Sequence, residues 1–174
     1  KKINLKKFIF GSSSSVYGEQ VNYPVKENFN LYPKNFYATT KKKCEEMILK
    51  NKKIKEKTVI FRFFTVYGPL SRPDMFVSIF LNNLRKKKKT FLYNYGNHFR
   101  DYTYVQDTVD FILKSLKKKK FIFKNKIYNI CASSPIKMID LVNIMGKNLR
   151  KKPMIQSKPK RKGEMLKTYG SNKK

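Results

Sequence analysis

Residues 58–66, TVIFRFFTV, form an almost unbroken run of apolar side chains, most of them β-branched or aromatic. A strand of that composition is buried on both faces, and such strands belong to parallel sheets covered by helices. A shorter run, residues 7–11 (KFIFG), has the same character and opens into the four serines at 12–15. Parallel strands need long crossovers, usually helical, to bring the chain back to the same edge. The expected class is therefore α/β with a parallel sheet.

The intervening and following segments fit that class. Residues 19–35 are polar and broken by Pro24 and Pro33, a loop composition. Tyr37 then opens a helix whose inward stripe is expected to run through Lys41, Cys44 and Ile48. After the strand come an amphipathic helix to Leu84 with Pro73 near its start, a strand over 90–95, and a helix marked by Val105, Val109, Ile112, Leu113 and Leu116. A strand over 127–132 and a helix from Ser134-Pro135 to about Leu149 complete the pattern. From Arg150 the tail is basic and proline-broken, and no internal repeat is present.

Ligands of open α/β sheets bind beyond the carboxyl ends of the strands. Residues 12–18 (SSSSVYG) and 67–69 (YGP) occupy such ends, although a serine-rich polar turn would read the same way. Tyr37 and Lys41 lie four residues apart, on one helix face and one turn from each other. An ammonium beside a phenol favours the phenolate, which makes a tyrosine usable as a general base. The spacing alone is also met on ordinary surface helices. On an inward stripe, however, a lysine needs a partner, because an unpaired buried ammonium is unfavourable.

The chain carries 41 Lys and Arg against 11 Asp and Glu, a formal net charge of +30. Such a balance ordinarily points to nucleic acid or an anionic surface. Here the cations are mostly lysine runs, 86–89 and 117–120, at expected helix ends, where they complement the helix dipole and stay solvated. With no nucleic-acid motif alongside them, nucleic acid is not an expected partner; a basic surface that attracts anionic substrates is. Cys44 and Cys131 fit neither a CxxC pair nor a disulfide framework and are expected as buried free thiols. No apolar run is long enough to span a membrane and no signal peptide is evident, so no membrane partner and a cytoplasmic location are expected. The single histidine, His98, falls in a loop without a partner motif, so no metal site is expected and His98 receives no role.

The motifs SSSSVYG, YATTK, FRFFTVYGP, SRPDM, YNYG, RDYTYV and YNICASSP follow one another in this order. With them the chain resembles the extended short-chain dehydrogenase/reductases of the NAD-dependent epimerase/dehydratase family, most closely the UDP-glucuronate 4-epimerases. The resemblance implies the C-terminal part of a Rossmann-type parallel sheet plus a smaller α/β substrate-binding domain. Residues 1–66 would be the remnant of the NAD-binding domain, and 67–174 a substrate-binding region with segments returning to it. The family's opening GxxGxxG turn, which holds the NAD pyrophosphate, has no counterpart here. Since the first residue is not methionine, a start inside a domain of a larger enzyme is expected, with a homodimer at full length.

Residue by residue, the resemblance makes Tyr37 the catalytic base, Lys41 the ligand of the nicotinamide ribose, and Ser13 a contact to the reacting hydroxyl, with Ser15 as helper. Phe64 and Val66 would approach the NAD cofactor. Thr65 and Arg72 would face the sugar diphosphate of a UDP-sugar substrate, Tyr93 would stack near the uracil, and Arg100 and Arg161 would bind the diphosphate. Taken alone, Tyr93 also reads as a core aromatic and Arg161 as one cation of a basic tail. The implied reaction inverts C4 of UDP-glucuronate through a 4-keto sugar, with hydride held meanwhile by NAD. Dehydratases of the superfamily carry Asp-Glu where this chain has Ser14-Ser15, which favours epimerisation. Leu70-Ser71 replaces the usual Trp-Gly, and Gly163-Glu164 the usual Gly-Asp. UDP-glucose 4-epimerase and UDP-glucuronate decarboxylase therefore remain alternatives, as does a non-catalytic fragment or basic binding module.

Overall fold

A computed structural model describes residues 5–117 and 126–173; the end of the second lysine run, 118–120, lies outside them. Strand β1 (Phe8–Ser13) runs into a 3-10 turn (Ser14–Tyr17), and a loop leads to helix α1 (Phe36–Lys50) and the short α2 (Lys52–Lys55). Then follow β2 (Thr58–Phe63), β3 (Thr65–Tyr67), α3 (Phe76–Arg85), β4 (Thr90–Tyr93), β5 (Phe99–Tyr104) and α4 (Val105–Lys117). The remainder is β6 (Ile127–Ile130), β7 (Pro135–Lys137), α5 (Met138–Asn148) and β8 (Ile155–Lys158).

The α/β class is as the sequence implies, and the strands divide into three small sheets. Strands β1, β2 and β6 form a parallel sheet in that order. Its apolar side packs Val59, Phe61 and Ile130 against Ile9, Ile112 and Tyr128. A second sheet pairs β3 parallel with β5, and β5 antiparallel with β7. The third pairs β4 parallel with β8. Phe80, Leu84, Leu92 and Val142 make a separate core between α3, β4 and α5.

Several expectations change. The run 58–66 is two strands in two sheets, with Phe64 as the crossing residue. The Phe64 amide still donates to Ile130 O at 3.0 Å, so the first sheet keeps its hold until the chain leaves it. The strand at 90 stops at Tyr93, because Asn94 and Tyr95 take positive φ of 47° and 54°. The strand at 127 ends at Ile130. The last helix begins at Met138 rather than at Ser134-Pro135, since Pro135–Lys137 is drawn out to pair with the start of β5. The tail contains β8, whose sequence IQSK carries no apolar alternation to announce it. On α1 the inward positions are Ala38, Glu45 and Ile48; Tyr37 is 54% exposed and Cys44 only half-buried, while Cys131 is buried as expected. A glutamate takes the inward place because Arg62 on β2 pairs with it.

Candidate active site

The carboxyl ends of β1 and β2, the start of α1 and strand β3 enclose a cavity of about 760 Å³. Ser13, Tyr37, Lys41, Phe64, Thr65, Val66 and Arg72 all line it. Two local devices set its geometry. Asn35 caps α1, its side chain accepting from Ala38 N at 2.8 Å, so Tyr37 sits in the first turn and faces the opening. Gly18 closes the serine turn at φ +62°, where an added Cβ would lie 1.9 Å from Tyr32 O, so no other residue fits.

Lys41 Nζ donates to Gly11 O at 2.7 Å and lies 5.8 Å from the centroid of the Tyr37 ring. That carbonyl is the partner an inward lysine requires, and the ammonium keeps two more donors for a ligand. Ser13 Oγ accepts from Ser15 N at 3.2 Å and from Ser15 Oγ at 2.9 Å, which leaves its own O–H to donate. Ser15 stands behind Ser13 and does not line the cavity. Arg72 is exposed and paired with Asp74, Nε to Oδ1 at 2.9 Å.

Beneath α1 the polar groups are fully engaged. Arg62 and Glu45, 3% and 2% exposed, form a two-pronged pair at 3.1 and 2.6 Å. Ser12 Oγ donates to the same carboxylate, and Arg62 Nη1 donates to Tyr17 Oη at 2.9 Å and Glu27 O at 3.1 Å. Tyr17 Oη donates in turn to Asn129 Oδ1 at 2.7 Å. Burial pushes the Tyr17 phenol up to about 12, against the pull of Arg62, so it stays a neutral donor. The network fastens β1, α1, β2 and β6 together directly below Tyr37 and Lys41.

A second cavity of about 250 Å³ shares Thr65, Val66, Tyr67, Ser71 and Met75 with the first and adds Tyr93, His98, Arg100, Tyr102 and Glu164. Arg161 does not line it but stacks on Tyr93, its guanidinium carbon 3.4 Å from the ring centroid. Arg100 Nη1 donates to Phe99 O at 2.9 Å, and Nη2 stands 3.9 Å from Glu164 Oε1. His98, expected in an idle loop, is 3% exposed, with Nε2 3.7 Å from Glu164 Oε2. Neither of those two atoms has a hydrogen-bond partner among the described residues. Burial pushes the imidazole below its ordinary range, opposed by the Glu164 carboxylate. Burial likewise lowers the Arg100 guanidinium and raises the Tyr102 phenol to about 12. His98 and Glu164 escaped the sequence reading; the signal at hand was a lone histidine two residues before Arg100, and a carboxylate following Gly163.

The family model described as NAD dependent epimerase/dehydratase matches residues 1–131. The chain belongs to that family. It is 36% identical over 97% of its length to protein MJ1055 of Methanocaldococcus jannaschii, covering 52% of that protein. It is 34% identical to UDP-glucuronate 4-epimerase 2 of Arabidopsis thaliana over 83% of this chain and 37% of the relative. Among solved structures it resembles the UDP-glucuronic acid 4-epimerase of Bacillus cereus in complex with UDP-glucuronic acid and NAD. There the TM-score is 0.89 at 31% identity, over 98% of this chain and 54% of the neighbour. The chain thus spans about half the length, or less, of these relatives.

Proposed function

We propose that this chain is the catalytic and substrate-binding portion of an NAD-dependent UDP-sugar 4-epimerase acting on UDP-glucuronate. The observation that carries the reading is that the two cavities adjoin along a shared wall of Thr65, Val66, Tyr67, Ser71 and Met75. Ser13, Tyr37 and Lys41 face the large one, and β3 leads from it to Tyr93 and Arg100 in the small one. A reacting sugar hydroxyl and a nucleoside-diphosphate anchor would thus be held on one surface. The crossing at Phe64 also supports a division near residue 66 into a cofactor-side and a substrate-side region.

The residues fit the nicotinamide-ribose end of NAD. Lys41 has two uncommitted donors for ribose hydroxyls, beside an open phenol and the backbone from Phe64 to Val66. When bound, NAD supplies a reversible acceptor for the C4 hydride. Tyr37 as phenolate takes the proton from the 4-hydroxyl and later returns one to the sugar. The Lys41 ammonium stands 5.8 Å from the centroid of the Tyr37 ring, and Ser13 O–H donates to the oxygen at C4 as it changes charge. At the other end Arg100 meets diphosphate oxygens and Tyr93, braced by Arg161, offers its ring to the base. Ser14 and Ser15 lack the carboxylates that would remove water from the sugar, which favours epimerisation over dehydration.

The test uses the full-length protein with NAD and either UDP-glucuronate or UDP-glucose, the products being separated by stereochemistry. Inversion of UDP-glucuronate at C4 is expected; a pentose product would mean decarboxylation instead. Tyr37→Phe is expected to lower turnover about 10²–10⁴-fold while UDP-glucuronate still binds. Unchanged turnover would remove Tyr37 from the mechanism.

A further inference from the structure

The two basic runs that flank the third sheet have no part in either cavity. Helices α3 and α5 end in the same way. Lys88 N donates to Asn83 O at 2.8 Å, and Lys151 N to Gly146 O at 3.0 Å. Both are six-to-one Schellman closures. At the left-handed position of each turn, where glycine is the usual occupant, stand Lys87 (φ 51°) and Arg150 (φ 50°). Each turn delivers its run to a strand start, and β4 and β8 pair in parallel with Thr90 opposite Ile155. Parallel pairing puts both starts at one end, so the runs converge there; Tyr93 and the small cavity lie at the other end.

Between the runs lies a hollow of about 280 Å³ with Leu84 and Met154 as its apolar lining and Lys87, Lys88, Lys151 and Lys152 around it. None of these four ammoniums is in an ion pair among the described residues. The surrounding chain offers no counter-charge either: residues 75–100 and 141–163 contain no Asp or Glu. Complementing two helix dipoles accounts for a cation at each helix end. It does not account for four lysines lining the rim of one concave space.

We propose that this hollow is an anion site that takes a multiply charged phosphate group, separate from the catalytic cavities. Four mobile ammonium donors suit the several oxygens of an oligophosphate, and lysine serves such a group as a point charge. The site does not depend on the catalytic reading given above.

Sodium tripolyphosphate is the probe, titrated calorimetrically into the full-length protein at about 0.15 M ionic strength, where diffuse surface charge is screened. Saturable binding is expected. Lys88→Gln/Lys151→Gln should weaken it about tenfold or more, from the loss of two charge-assisted contacts. Lys43→Gln/Lys50→Gln on exposed α1 positions removes equal charge and should change it less than about twofold. Thermal melting of each variant checks that folding is intact. Sedimentation with phosphatidic acid vesicles, whose phosphomonoester headgroup can carry more than one charge, distinguishes the source of the phosphate. Vesicle binding lost in the first variant and competed by tripolyphosphate would make the group a displayed headgroup at the same site. Equal losses in both variants, or no saturable binding to either probe, would overturn the proposal.

Discussion

The polar groups under α1 are more deeply buried than those around the small cavity, and the two sets are differently finished. Glu45 has Arg62 and Ser12 on its oxygens, and Arg62 has Tyr17 and a backbone carbonyl besides. Glu164 stands 3.7 Å from His98 and 3.9 Å from Arg100, with one oxygen unpartnered. A saturated network rigidifies what it holds, whereas unpaired buried atoms carry a penalty that a ligand can relieve. The first region holds Tyr37 and Lys41 in place before anything binds. The second keeps polar atoms without partners among the described residues, which an entering ligand could satisfy.

Substitutions can break this contrast. The largest expected effect is that of Tyr37→Phe, which sits on the finished region but takes no part in its network. Stability should stay as it is while turnover in the full-length protein falls as stated above. Next is Glu45→Gln, which leaves the Arg62 charge buried without its partner. Unfolding in urea should show a loss of about 3–5 kcal/mol, the usual result of breaking one side of a buried pair. A loss below about 1 kcal/mol would mean the network is not what holds α1. Glu164→Gln should cost less than about 1 kcal/mol in the same assay, because no formed hydrogen bond is removed. It should instead weaken UDP-glucuronate binding in the full-length protein. Equal losses at the two glutamates would erase the distinction between the regions.

The smallest effect concerns pH. Burial holds His98 below its ordinary value, so the unfolded chain takes up the proton first as pH falls. Stability should therefore decline as pH drops from about 6.5 through the folded-state value, and be flat in this respect above about 6.5. His98→Gln should remove that slope. A slope unchanged by the substitution would assign it to another group.

Much of the finished region was legible in the sequence. Its strands announce themselves by continuous apolar runs, and Tyr37 and Lys41 meet through local helical spacing, which needs no tertiary knowledge. The orientation of α1 was not legible, because a glutamate enters the core only where an arginine awaits it, and Arg62 lies 17 residues further on. The unfinished region depends on long-range pairing. His98 meets Glu164 because the tail runs beside the start of β5, with Phe99 N donating to Leu166 O at 2.8 Å and Thr168 N to Phe99 O at 3.0 Å. No periodicity in a basic, proline-broken tail encodes that alignment. Strand β8 was missed for the same reason.

Under the proposed function, Phe64 bears on which substrates would fit. One residue joins the strand beside the reacting face to the strand beside the small cavity, and its ring packs where a Cβ on Gly170 would lie 2.5 Å from Cζ. The span between the two ends of a bound molecule is therefore a fixed gauge, set by one well-packed residue instead of an adjustable loop. Under the proposed function, a molecule would be measured by its length from anchor to reacting carbon before its stereochemistry is read. Gly170 lines neither large nor small cavity, yet any side chain there would press on Phe64 and recalibrate the gauge for both.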